Sequence, residues 1–214
     1  MSPDLSSPVA AWAGSQDPSA PLVVLLHGRG SDEGGILGLA SVLPPEASYA
    51  ALRAPIAEGG GYAWFANYGI GRPRPESLRE TMDWFSAWLS GVGANRAVAL
   101  VGFSGGAAFA GGLILDDPSR YVGAAILYGT VPFDAGVPVT EGRLAGAKVM
   151  VAQGERDTVM PPELMSRTWD YLSKASEAEV TAVRDPGGHA ISPAVAARLG
   201  AWIGEVLGIG LGSA

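Results

Sequence analysis

Ala97-Val98-Ala99-Leu100-Val101-Gly102-Phe103-Ser104-Gly105-Gly106-Ala107-Ala108-Phe109-Ala110 decides how the rest of the 214 residues are read. An apolar run of strand character ends at Gly102, and a small-residue run of helical character begins just past Ser104. Between them stands Gly-x-Ser-x-Gly, the spacing of a serine on a sharp strand-to-helix turn with its hydroxyl exposed above a sheet. Gly102 and Gly106 suit such a turn, because a strand that reverses into a helix brings backbones close enough for a Cβ to clash. A helix starting behind Ser104 points unpaired N–H groups and a positive dipole end at any oxyanion formed there. In a chain with 31 glycines the pattern alone decides little, since other glycine turns produce it, and its surroundings must decide.

Working outward, the flanking segments alternate between strand and helix. Pro21 to His27 is an apolar run that suits a parallel strand covered on both faces, and it opens into the polar loop His27-Gly28-Arg29-Gly30-Ser31-Asp32-Glu33. Ile36 to Leu43 reads as a short helix stopped by Pro44-Pro45, and Ser48 to Arg53 as a second strand. Glu58 to Pro75 reads as a long irregular loop carrying Tyr62, Trp64, Phe65 and Tyr68, an aromatic cluster that either lines an acyl pocket or anchors the loop. Glu76 to Gly91 is an amphipathic helix with Leu78, Met82, Phe85, Trp88 and Leu89 on its core stripe. Beyond the serine turn come a helix to about Leu115, a strand over Tyr121–Tyr128, and a loop over Phe133–Gly146. A strand over Lys148–Gln153, a helix over Glu163–Ser176, a strand over Ala178–Arg184 and a closing helix over Ala190–Leu207 complete the body. Alternation of this kind implies right-handed crossovers, a mostly parallel central sheet, and helices on both faces in three α/β layers. At this length a single domain over 1–214 is expected, with 1–20 an extended segment holding a short edge strand near Val9–Trp12 and 208–214 a frayed tail. Trp12 reads as packing for that edge strand rather than as a lid.

Composition narrows the function classes. Formal net charge is −7 with no basic cluster, which argues against nucleic acid and anionic membrane surfaces as partners. The chain has no cysteine, so disulfides, thiol nucleophiles and cysteine-bound metals are excluded. No apolar run reaches membrane-spanning length, and Met1–Pro8 lacks the basic and apolar regions of a secretion signal. A soluble cytoplasmic protein is the expectation, with homodimerisation left open.

The chemistry gathers at the predicted carboxyl ends of the strands, where open α/β sheets bind ligands. A serine hydroxyl needs a base, and the chain holds two histidines. His27 reads as a structural residue holding the glycine loop, whereas His189 follows the last strand, where an imidazole can lean over Ser104. An orienting carboxylate is then required. Asp157, past the penultimate strand, gives the order Ser…Asp…His of this architecture. Asp185 sits closer to His189 but lies in Asp-Pro-Gly-Gly, ordinary turn chemistry, and Asp134 is a weaker spare. The oxyanion donors are expected to be the backbone N–H groups of Gly105 and Arg29, which leaves the Arg29 side chain free for solvent or an anionic substrate. Tyr62, Trp64, Phe65 and Met160 are the candidate walls of an acyl pocket.

These pieces carry a resemblance. Leu26-His27-Gly28-x-Gly30 with Asp32, Arg53-Ala-Pro55, Gly60-Gly-Tyr-Ala-Trp-Phe65, Gly102-Phe-Ser-Gly-Gly106, Gly154-x-x-Asp157-x-Val159-x-Pro161 and Gly188-His189-x-Ile191-Ser192 are similar to the α/β-hydrolases of the small phospholipase/carboxylesterase, acyl-protein thioesterase-like group. The resemblance spans about residues 22 to 207. It implies hydrolysis through a serine acyl-enzyme with no metal and no cofactor, with Ser104 as nucleophile, His189 as base, Asp157 as acid, and Arg29 and Gly105 as oxyanion amides. One departure stands out: thioesterase relatives commonly carry glutamine directly after the serine, and Gly105 stands there instead. The expected function is a serine carboxylesterase of small to medium acyl esters. Thioesters, lysophospholipids or amides cleaved by the same three residues remain as alternatives, as does a non-catalytic binding protein on a hydrolase scaffold.

Overall fold

Seven strands form one sheet in the spatial order Ala10–Gly14, Ser48–Leu52, Leu22–Leu26, Val98–Phe103, Gly123–Leu127, Lys148–Gly154, Glu179–Asp185 in the computed structural model, which describes residues 5–209. The expectations for residues 1–4 and 210–214 lie outside the described residues. In chain order the elements begin with β1 (Ala10–Gly14), β2 (Leu22–Leu26), α1 (Glu33–Leu37) with a 3₁₀ extension over Gly38–Val42, and β3 (Ser48–Leu52). The short strands β4 (Ile56–Glu58), β5 (Gly61–Ala63), β6 (Asn67–Gly69) and β7 (Arg72–Pro73) lead into α2 (Pro75–Val92). The second half runs through β8 (Val98–Phe103), α3 (Gly105–Asp116), β9 (Gly123–Leu127), β10 (Lys148–Gly154), α4 (Pro162–Asp170), β11 (Glu179–Asp185) and α5 (Pro193–Leu207). Only β1 runs antiparallel, pairing at the edge with β3 so that Trp12 stands opposite Ala50. Every other neighbour in the large sheet is parallel.

The apolar strand runs follow from burial on both faces. Leu22, Val24 and Leu26 of β2 join the core on one side, and Val23 and Leu25 join it on the other. The same alternation places Leu100, Ile126 and Val151 under α2, α3 and α4, while Val101, Leu127 and Met150 lie under α1 and α5. A fully buried aliphatic side chain is worth about 1.5–3 kcal/mol of transfer free energy, so a polar substitution on either face of a central strand is strongly disfavoured. Helix α5 starts at an N-cap, where the Ser192 hydroxyl accepts from the Val195 amide at 3.3 Å.

Two expectations need correction. The segment 58–75 is not an irregular loop, because β4 pairs with β5 and β6 with β7 as two small antiparallel ribbons. Its glycines and scattered aromatics hide any alternating pattern, so the pairing shows only in three dimensions. Trp64 from this segment is buried in the core, stacked on Phe109 of α3 at 4.6 Å, and Phe109 in turn meets Phe85 edge-on. Gly208 and Ile209 do not fray either. Gly208 takes a left-handed conformation (φ 64°), its amide bonding Glu205 O, while the Ile209 amide bonds Gly204 O at 2.9 Å. That pair of bonds closes α5 as a Schellman motif, with Ile209 packed against the core.

Candidate active site

The strand order reverses between β2 and β8, and the loops leaving their carboxyl ends flank one crevice. Ser104, directly after β8, has φ 54° and ψ −114°, a strained conformation for a residue with a side chain. The strain is held by close packing. A Cβ on Gly102 would lie 2.1 Å from Gly106 O, and one on Gly106 would lie 2.1 Å from Leu26 O, so glycine is required at both positions. The Ser104 amide is tied to Leu127 O at 2.9 Å, which locks the turn onto β9.

His189 meets the serine from the turn after β11. Its Nε2 lies 2.9 Å from Ser104 Oγ, and its Nδ1 lies 2.7 Å from Asp157 Oδ2. A carboxylate at Nδ1 fixes that nitrogen as the donor and leaves the Nε2 lone pair facing the hydroxyl, an arrangement able to take the hydroxyl proton. The Asp157 side chain is fully buried, and its second oxygen accepts from the amides of Val159 (2.9 Å) and Met160 (3.1 Å). Asp185 has another partner: its Oδ2 accepts from the Tyr128 hydroxyl at 2.5 Å.

The Gly105 backbone lies against the Arg29 amide, since a Cβ built on Gly105 would sit 3.3 Å from Arg29 N. Gly105 opens α3, where N–H groups have no partner within the helix. The loop carrying Arg29 is pinned from β5, with the Gly30 amide on Tyr62 O and the Tyr62 amide on Ser31 O, both at 2.9 Å. Tyr62 thus supplies its main chain. Its ring does not join the cavity wall but packs under the Arg53 guanidinium, 4.8 Å from Arg53 Cζ. The Arg29 side chain is not free, contrary to the sequence expectation. It forms a two-pronged pair with Glu58 and donates to Phe65 O at 3.0 Å.

A cavity of about 810 Å³ opens over Ser104 and His189. Trp64, Phe65 and Met160 contribute to its wall, as do Ile36, Leu39 and Ile191, which the sequence pattern placed in the short first helix and the closing helix. The chain belongs to the phospholipase/carboxylesterase family. Its family model matches residues 9–203. A carboxylesterase of Mesorhizobium loti is similar, with 30% identity, 86% of this chain and 88% of that one covered, and a TM-score of 0.75. The Bacillus cereus carboxylesterase is 24% identical over 92% of this chain and 93% of its own, with a TM-score of 0.79, and supports the fold. The MhqD protein of Bacillus subtilis (strain 168) is 26% identical over 87% of this chain and 94% of its own length. Membership of this phospholipase/carboxylesterase family makes the chain an ester hydrolase of the α/β-hydrolase fold. Among the described residues no helix is long and apolar enough to cross a membrane, and no cluster of three or more His, Cys, Asp or Glu residues could hold a metal ion.

The other histidine of this carboxylesterase-family chain is buried beside the site. His27 Nδ1 donates to Gly28 O at 2.8 Å, and its Nε2 accepts from the Ala54 amide at 3.1 Å, so both bonds require the neutral ring. Burial holds its pKa below the ordinary 6.5. The unfolded chain therefore binds this proton first. His27 contributes stability that is fully present above about pH 6.5 and is lost as pH falls through the lower folded value. Urea midpoints measured across that range are expected to fall in the native protein and to fall less steeply in His27→Gln.

Proposed function

We propose that the chain is a serine carboxylesterase that cleaves esters of small to medium acyl chains through an acyl-enzyme on Ser104. As His189 Nε2 takes the hydroxyl proton, Ser104 Oγ bonds to the ester carbonyl carbon, and the carbonyl oxygen becomes an oxyanion. The amides of Arg29 and Gly105 donate to that oxygen, each donor of this kind being worth about 3 kcal/mol of transition-state stabilisation. Collapse of the intermediate breaks the carbon–oxygen bond to the alcohol, which leaves with the proton from His189. Water then attacks the acyl carbon, giving its proton to His189, and the acid departs as Ser104 regains its hydrogen. Asp157 keeps the imidazole oriented and offsets its charge while it is protonated.

The observation that carries this reading is the continuous path of hydrogen bonds from Ser104 Oγ through His189 to Asp157, at 2.9 and 2.7 Å. The apolar wall of Trp64, Phe65 and Met160 supports an acyl chain as the group bound beside it. The Arg29 guanidinium, occupied by Glu58, offers no free cation to an anionic substrate. The test is a fluorophosphonate probe followed by peptide mapping. One adduct on Ser104, formed at a rate that falls when p-nitrophenyl butyrate competes, is the expected result. An unlabelled Ser104 in folded protein would place the chain among binding proteins on a hydrolase scaffold.

A further inference from the structure

Tyr128 is the first residue past β9, and it touches all three chain segments that carry the reacting groups. Its backbone is left-handed (φ 50°), which a bulky side chain adopts only under constraint. The residue is fully buried. Immediately before it, Leu127 O holds the amide of Ser104; immediately after it, Gly129 lies so close that a Cβ there would come within 2.6 Å of Ser104 O. The Tyr128 amide itself bonds Ala152 O at 2.8 Å on β10, the strand that leads to Asp157. Its hydroxyl donates to Asp185 Oδ2 at 2.5 Å, where β11 ends and the turn to His189 begins. Ser192, at the far end of that turn, lies against the same phenol. Between the phenol and the imidazole sits Phe103, its ring 6.0 Å from that of Tyr128 and 5.2 Å from that of His189.

We infer that Tyr128 is a positioning residue, whose hydroxyl clamps the Asp185–Ser192 turn so that the His189 imidazole reaches Ser104 Oγ and Asp157 together. This inference rests on the esterase reading above for the reaction it serves. Two features favour positioning over packing alone. A phenylalanine would fill the same volume and pack on Phe103 equally well, yet the site holds a tyrosine bonded to a carboxylate that is itself 5% exposed. Desolvation, with Asp185 beside it, pushes the phenol up to about 12, so the hydroxyl keeps its proton and donates throughout the pH range of ester hydrolysis. The amides of Glu155 and Arg156 hold Asp185 O (2.8 Å) and Gly187 O (3.0 Å), tying the first half of the turn Asp-Pro-Gly-Gly-His to the loop before Asp157, and the phenol adds a side-chain anchor at Asp185 and Ser192, on either side of the imidazole.

The experiment compares wild type with Tyr128→Phe on p-nitrophenyl butyrate, well below the melting temperature of both. The expected result is a fall in kcat of about 10- to 100-fold, the penalty of a misplaced proton acceptor, with KM within about twofold. The acid limb of the kcat/KM profile is expected to move, because it reports the free imidazole, whose contact with Asp157 has changed. Asp185→Asn, which still offers the phenol an oxygen, is expected to remain within about fivefold of wild type. Asp185→Ala is expected to reproduce the Tyr128→Phe split, and the double variant to lose no more than either single. Wild-type kcat and an unmoved acid limb in Tyr128→Phe would overturn the inference while leaving Ser104 labelling intact. If wild type neither labels nor turns over, the esterase reading fails. The inference is then judged by the downfield imidazole N–H resonance of His189, expected to shift in Tyr128→Phe and overturned by an unchanged signal.

Discussion

Replacing Ser104 by alanine is expected to lower kcat on p-nitrophenyl acetate and butyrate by about a million-fold, the scale seen when a nucleophile acting within a Ser–His–Asp unit is removed. The argument is geometric. His189 Nε2 faces the Ser104 hydroxyl at 2.9 Å, and with that oxygen removed the imidazole is left with water to activate. What remains should be a weak activity from the proposed oxyanion donors, the amides of Arg29 and Gly105, acting on a bound ester, still about 10³–10⁴-fold above water. KM should change little, because the apolar cavity proposed to take the acyl chain is untouched. Alanine keeps the strained φ of 54°, so the melting temperature should stay close to that of wild type, which separates loss of chemistry from loss of fold. Retained turnover in the purified variant would refute the nucleophile.

The second large effect concerns structure rather than chemistry. Gly106→Ala would place a methyl group 2.1 Å from Leu26 O and 2.7 Å from His27 O, both main-chain atoms of the central strand β2 and the loop it feeds. Neither side can yield, since β2 is paired on one edge with β3 and on the other with β8. A loss of more than about 4 kcal/mol is expected, a large part of the 5–15 kcal/mol that usually separates folded from unfolded chains. The measurement is the urea midpoint, or the soluble fraction on expression if the variant does not purify. Gly38→Ala is the matched control. Gly38 has a helical φ of −55° with nothing within 4 Å of the added methyl, so it should be neutral or stabilised by up to about 1 kcal/mol. Equal effects at the two positions would mean that the turn around Ser104 is not a tight junction.

The two substitutions bracket what could be read from sequence. The doubly buried strands were legible because Leu22–Leu26 and Val98–Val101 are continuous apolar runs, which only a sheet covered on both faces requires. The serine turn was legible because its glycines are demanded locally. The ribbons β4–β5 and β6–β7 were not, since their strands of two or three residues carry no period and pair through main-chain atoms. Side-chain direction was equally hidden. The run Gly60–Phe65 holds three aromatics, yet Trp64 turns into the core and Tyr62 under Arg53, a choice made by tertiary neighbours. Arg29 shows the same limit, because its partner Glu58 is 29 residues away. The partner of Asp185 is hidden for a related reason: Asp-Pro-Gly-Gly has a sufficient local explanation, and nothing in the sequence links it to Tyr128, 57 residues earlier.

The position of β11 has a consequence for biosynthesis. It is the edge strand opposite β1 and the last strand in sequence among the described residues, and the imidazole hangs from the turn just past it. As the ribosome extends the chain, Ser104 emerges 85 residues before the group that could activate it. The nascent polypeptide is therefore expected to be inert toward cellular esters until its final segment docks. A fluorophosphonate should consequently discriminate between finished molecules and ribosome-stalled fragments ending before residue 189.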